Sequence, residues 1–167
     1  MVTSFARLIR HLLSPPWRVR VAFPARTMRA IEQSIRASEA THRGQIRFAV
    51  EAALDLVPLL QNQTARGRAI DVFSFLRVWD TEHNNGVLIY LLLADRDVEI
   101  VADRGVSRLV APEEWERICR EMERAFRDGR FEEGVLAGIR AVSGHLVRHY
   151  PGEGKRRNEL PDAPVVL

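Results

Sequence analysis

Residues 79–105, WDTEHNNGVLIYLLLADRDVEIVADRG, decide the fold. A polar loop runs from Asp80 to Gly86. Val87 to Ala94 is then apolar on both faces, the pattern of a strand in the middle of a sheet covered on both sides. Asp95-Arg96-Asp97 makes a tight, charged turn, and Val98 to Ala102 returns as an antiparallel partner. The stretch predicts a β-hairpin.

Downstream, Pro112 suits the first turn of a helix, with Glu113 and Glu114 at its positive end. Trp115, Ile118, Met122 and Phe126 supply its buried face, and Gly129 ends it. A further helix runs from about Phe131 to His149, buried through Val135, Ile139, Val142 and Leu146, and Pro151 stops it. Residues 151–167 are polar and proline-bearing, and they read as a flexible tail.

Upstream, Thr64 suits the N-cap of a helix whose stripe is Ala69, Val72, Phe73, Leu76 and Trp79. Residues 52–62 are apolar but carry Pro58, so their structure stays open. Gln45 to Glu51 alternates as a strand. A helix capped by Thr27 precedes it, with Met28, Ile31 and Ile35 inward and Gly44 as the stop. Residues 1–26 form a basic N-terminal segment, with helical spacing over Phe5–Leu13 and strand-like alternation over Val19, Val21 and Phe23. The order predicts one α/β domain over residues 27–150, a central mixed sheet with helices on both faces.

The chain's 167 residues, 46% apolar and 28% charged, suit one globular domain. Cys119 is the single cysteine, which excludes an internal disulfide. No run approaches the ~20 apolar residues of a spanning helix. Residues 8–21 are too interrupted for a signal peptide, so the expected location is cytoplasmic. Net charge is +3, but no acidic residue precedes Glu32, while Arg7, Arg10, Arg18, Arg20, Arg26 and Arg29 do. Such a segment suits contact with an anionic membrane surface. Nucleic acid is the weaker expectation, because no dedicated motif accompanies the arginines.

The loop before the central strand concentrates the chemistry. Asp80, Glu82, Asn84 and Asn85 bring four oxygen-bearing side chains within six residues, and the hairpin returns Asp103 beside them. Hard cations take oxygens from several directions. The same residues also suit a solvated turn. His83 is the one histidine there that could serve as acid or base. Ser74, Ser107 and Ser143 lie in no nucleophile motif. His145 and His149 stand i, i+4 without the glutamate of a zinc-protease motif.

The whole pattern resembles the TPM domain family. The residues that carry it are Asn85-Gly86, the apolar strand, the Asp95-Arg96 turn and Gly105, with AFRDGRFEEGVLAGI (125–139) downstream and THRGQIRFAVE (41–51) upstream. The resemblance implies a three-layer α/β/α sandwich with a small mixed sheet containing the hairpin. It also implies a calcium or magnesium loop, here Asp80, Glu82, Asn84, Asn85 and Asp103, and for some members an acid phosphatase activity. Asn84 stands where the family usually has aspartate. Val106 to Val110 replaces a segment that is usually acidic or threonine-rich. Both departures lower the charge at the loop. The expectation is therefore an accessory module for an unidentified protein partner, with metal-assisted phosphatase activity as the alternative.

Overall fold

The computed structural model describes residues 5–152 and 158–167. Helices α1 (Phe5–Leu12), α2 (Trp17–Ala22) and α3 (Ala25–Glu39) precede strand β1 (Gln45–Glu51). α4 (Leu56–Leu60) and α5 (Ala65–Phe75) lead to β2 (Gly86–Leu92) and β3 (Asp97–Ala102). α6 (Arg104–Ser107), α7 (Pro112–Arg127) and α8 (Phe131–His149) follow, and β4 (Val165–Val166) comes last.

The strand order is β3-β2-β1-β4. β2 and β3 form the expected hairpin, with Val87 opposite Ala102 and Leu92 opposite Asp97. β1 runs parallel to β2, from Gln45 beside Gly86 to Glu51 beside Leu92. Side chains alternate across the sheet. Ile46, Phe48, Val50, Val87, Ile89 and Leu91 meet Ile31 and Ile35 of α3, Met122 of α7 and Ile139 of α8 on one face. Ala49, Leu88, Tyr90 and Leu92 meet Leu59, Ala69, Val72 and Phe73 on the other. This is the three-layer arrangement, and β2 is buried at every position.

Several local expectations are corrected. Residues 19–23 belong to a helical turn, because Val19 and Phe23, four apart, both enter the core. α3 starts at Ala25 on Pro24, so Thr27 is not its cap; it donates to Glu132 on α8 instead. Thr64 does cap α5, accepting from Gly67 N. That helix stops at Phe75, and Arg77 turns left-handed (φ 53°). The turn buries Val78 and leaves Trp79 46% exposed, outside the stripe.

The described part of the expected tail is docked. β4 pairs parallel with β1 at Ala49 and Val50. Leu167 N donates to Val50 O at 3.0 Å. The cause lies in β1, whose polar side chains are buried with the rest. Arg47 donates to the carbonyls of Pro161 and Ala163, and Gln45 Oε1 accepts from Glu159 N and Leu160 N at 2.9 Å each. Glu51 accepts from Arg68 at 2.8 and 2.9 Å and from Tyr90 Oη at 2.6 Å. Buried polar groups need such partners, and residues 158–163 supply those of Arg47 and Gln45.

The N-terminal segment packs on the domain at the hairpin turn. Arg7 Nε and Arg10 Nη2 each lie 2.9 Å from Asp95. His11 Nδ1 accepts from Leu54 N at 3.0 Å, so the ring hydrogen sits on Nε2, 3.1 Å from Asp95 Oδ2.

Candidate functional site

The loop from α5 to β2 is held by its own backbone and by Thr81. Asn84 N donates to Thr81 O at 3.3 Å, and Asn85 N to Thr81 Oγ1 at 3.1 Å. Asn84 takes a left-handed conformation (φ 51°), which asparagine tolerates better than most residues. A β-carbon on Gly86 would stand 2.0 Å from Val78 O, so only glycine lets the chain enter β2 there.

Asp103 joins the loop where sequence places it. Its amide donates to Gly86 O at 2.9 Å, and Gly105 N donates to Asn84 O at 3.0 Å. The carboxylate caps α6: Oδ1 accepts from Arg104 N at 2.7 Å. Oδ2 is buried and has no partner among the described residues. Asn85 is fully buried; its Nδ2 donates to Arg43 O at 2.9 Å, and its Oδ1 also has no partner there. Gly105 keeps the junction tight, since a β-carbon there would lie 2.5 Å from Asn84 O and 2.9 Å from Tyr150 Oη. Burial first, then the charge of Asp103, raises the Tyr150 phenol above its usual range.

Asp80 and Glu82 lie elsewhere. Asp80 pairs with Arg77 at 3.3 Å in solvent, and Glu82 is well exposed. Both line a neighbouring cleft of about 850 Å³ between the end of α3 and residues 158–162. Of the five sequence-chosen residues, Asn84, Asn85 and Asp103 therefore meet at one junction, and the other two line the cleft. Among the described residues, no three His, Cys, Asp or Glu side chains group as a metal site.

The cleft holds two groups that the sequence did not single out. Burial pushes the Glu39 carboxyl up to about 8, opposed by the hydrogen bond from Ile46 N and reinforced by nearby Asp162. Burial pushes the His42 imidazole down to about 4. Its Nδ1 lies 3.1 Å from Gly44 O, which only accepts, so Nε2 carries the lone pair; it is buried without a partner among the described residues. Glu39 is thus mostly protonated at neutral pH, beside a neutral imidazole. Their signal in the sequence is slight: two polar residues past the last apolar turn of a helix. Of the two α8 histidines, His145 packs against Trp115 at 5.3 Å between ring centroids.

Residues 22–145 match the family model of the TPM domain, most of the chain. Among solved structures, the chain is similar to the BA42 protein of the psychrophilic bacterium Bizionia argentinensis. The identity is 28% and the TM-score 0.75, covering 86% of this chain and 94% of that one. It also shares its fold with the N-terminal domain of a protein from P. gingivalis, at 17% identity and TM-score 0.60, covering 84% and 95%. No curated protein matches.

Proposed function

The chain belongs to the TPM domain family, and from that premise we propose that it is an accessory binding module whose Asn85–Asp103 junction takes up calcium or magnesium. One observation carries the reading. Two side-chain oxygens, Asn85 Oδ1 and Asp103 Oδ2, are buried without partners among the described residues, on either side of the Gly86–Asp103 hydrogen bond. Buried oxygens are otherwise satisfied, so each awaits a donor or a cation. An amide oxygen and a carboxylate oxygen are the ligand types hard cations prefer. A single carboxylate supports only weak affinity, on the order of 10⁻⁴–10⁻³ M. Asp80 and Glu82 would stand outside the first ring of ligands, and Asn84 would contribute by shaping the loop.

The hydrolytic alternative needs Asp80, Glu82 and Asp103 on one ion, able to polarise a phosphoryl oxygen and activate water. With Asp80 and Glu82 on the cleft, this arrangement favours binding over hydrolysis.

Titrating calcium and magnesium into labelled protein while following backbone amides tests the proposal. Expected are saturable shifts confined to residues 80–86 and 103–105, absent in Asp103→Asn, which keeps the capping oxygen and removes the charge. No shift at millimolar ion, or equal shifts in the variant, would overturn it.

A further inference from the structure

α1 is mounted the wrong way round for a helix on a water-soluble protein. Arg7 and His11 on its polar side face inward, onto Asp95 and the Leu54 amide. Phe5, Ile9, Leu12 and Leu13, one stripe at i, i+4, i+7 and i+8, face solvent at 75, 39, 65 and 68% exposure. The ordinary arrangement buries the apolar stripe. α2 continues the pattern: Val19 is in the core, while Trp17 and Val21 are 61 and 71% exposed. α4 lies alongside, tied to α1 through the Leu54–His11 and Gln63–Arg7 hydrogen bonds, and it leaves Val57 and Leu60 exposed. Large apolar side chains left exposed together on neighbouring elements mark an interaction site.

Its charge selects the partner. Arg10, Arg18, Arg20, Arg26 and Arg29 are exposed in the same segment. Arg20, Arg26 and Arg29 have no ion-pair partner among the described residues, and the sequence has no acidic residue before Glu32. A groove of about 880 Å³ beside α2 sets Trp17 and Val21 next to Arg18, Arg26 and Arg140. The carboxylates in that groove are already engaged, Glu132 by Thr27 and Glu133 by Arg130. A second copy of the chain would set arginine against arginine across a two-fold axis. Among the described residues no helix is long and apolar enough to cross a membrane.

We propose that α1, α2 and α4 form a docking face for an anionic phospholipid bilayer, the apolar stripe entering the headgroup boundary and the arginines meeting lipid phosphates. Apolar insertion plus basic flanks is the usual recipe for interfacial binding. The face names the partner that the binding-module reading leaves open. It stands apart from the cation junction, which lies at the other end of the sheet, about 20 Å away along seven-residue strands.

Co-sedimentation of the full chain with vesicles in EDTA tests it without involving the cation. Phosphatidylcholine vesicles serve against phosphatidylcholine mixed with phosphatidylglycerol. Expected is binding to the anionic vesicles only, weakened by salt, with the emission of Trp17 shifted to the blue. Replacing both Arg20 and Arg26 by alanine should cost roughly 25-fold, about fivefold per arginine. Leu12→Asp with Leu13→Asp should abolish pelleting while leaving the circular dichroism unchanged, since both leucines are exposed. No pelleting on anionic vesicles, equal pelleting on neutral ones, or pelleting untouched by either pair of substitutions would overturn the proposal. So would a dimer in sedimentation that the leucine pair dissolves, or capture of a protein partner by the same face without lipid binding.

Discussion

The two ends of one hairpin carry two aspartates with opposite surroundings, Asp95 half-buried and Asp103 buried. At the turn, Asp95 is met by Arg7, Arg10 and His11, all within 3.1 Å, from a helix 84 to 88 residues earlier in the chain. At the far end, Asp103 spends one oxygen on a helix cap, and the other is unmatched among the described residues. The same side chain is thus an anchor at one end and, at the other, carries a buried oxygen without a partner among the described residues. What distinguishes them is which segments fold back to meet them; neither the residue type nor its place in the hairpin decides it.

The comparison breaks most visibly at Asp95. Asp95→Ala leaves two arginines and a buried ring nitrogen without their anion, and it should cost about 2 kcal/mol, the range for hydrogen bonds to a charged group. Urea unfolding reads the loss, and hydrogen exchange at the Leu54 amide should show α1 released. A loss below ~0.5 kcal/mol would mean that α1 is held by its apolar contacts alone.

The two ends should also differ in the sign of their pH response. Burial pushes the Asp95 carboxyl up, but the hydrogen bonds from Arg7 and His11 and the charge of Arg7 outweigh it, leaving a net lowering. Its stabilising effect is therefore complete above the ordinary carboxylate range and fades as pH falls through the lowered value. Glu39, beside the loop end, is displaced upward to about 8. Its folded form holds a proton that the unfolded chain releases, so its contribution is full below about 4.5 and is lost as pH rises toward about 8. Melting temperature should decline between about 6.5 and 8, above the ordinary histidine range, and Glu39→Gln should flatten that slope. An identical slope in the variant would remove Glu39 as its source.

The smallest effect on folding is expected at Asp103. Asp103→Ala loses a cap worth about 1 kcal/mol, partly offset by deleting an unpartnered oxygen. Thermal melts of Asp103→Ala and Asp95→Ala side by side measure the contrast directly. Equal losses would make both aspartates structural.

The hairpin was legible in sequence because β2 carries apolar residues on both faces and its turn is charged. α7 and α8 were legible because Trp115, Met122, Ile139 and Leu146 keep helical period. Asp103 could be placed near Asn85 because an antiparallel return puts it there. The partners of Asp95 could not be read, because nothing local links a turn to a helix more than 80 residues upstream; the residues read as an ordinary charged turn. α2 was misread because Val19, Val21 and Phe23 satisfy period two as well as Val19 and Phe23 satisfy period four. The docking of residues 158–167 was hidden for another reason. Its energy comes from polar side chains on β1, and alternation there signals a strand without saying what covers its polar face.

That docking bears on aggregation. Among the described residues, β1 has β2 on one side and just the two residues of β4 on the other. Were residues 158–167 to lift away, β1 would become an open strand margin, the kind of surface on which chains add to one another as amyloid-like stacks. Arg47 and Glu51 would then be inward-pointing charges on that margin, and an incoming strand would have to strip water from both. The side chains that fasten the C-terminal segment when it is down would guard the sheet against foreign strands when it is up.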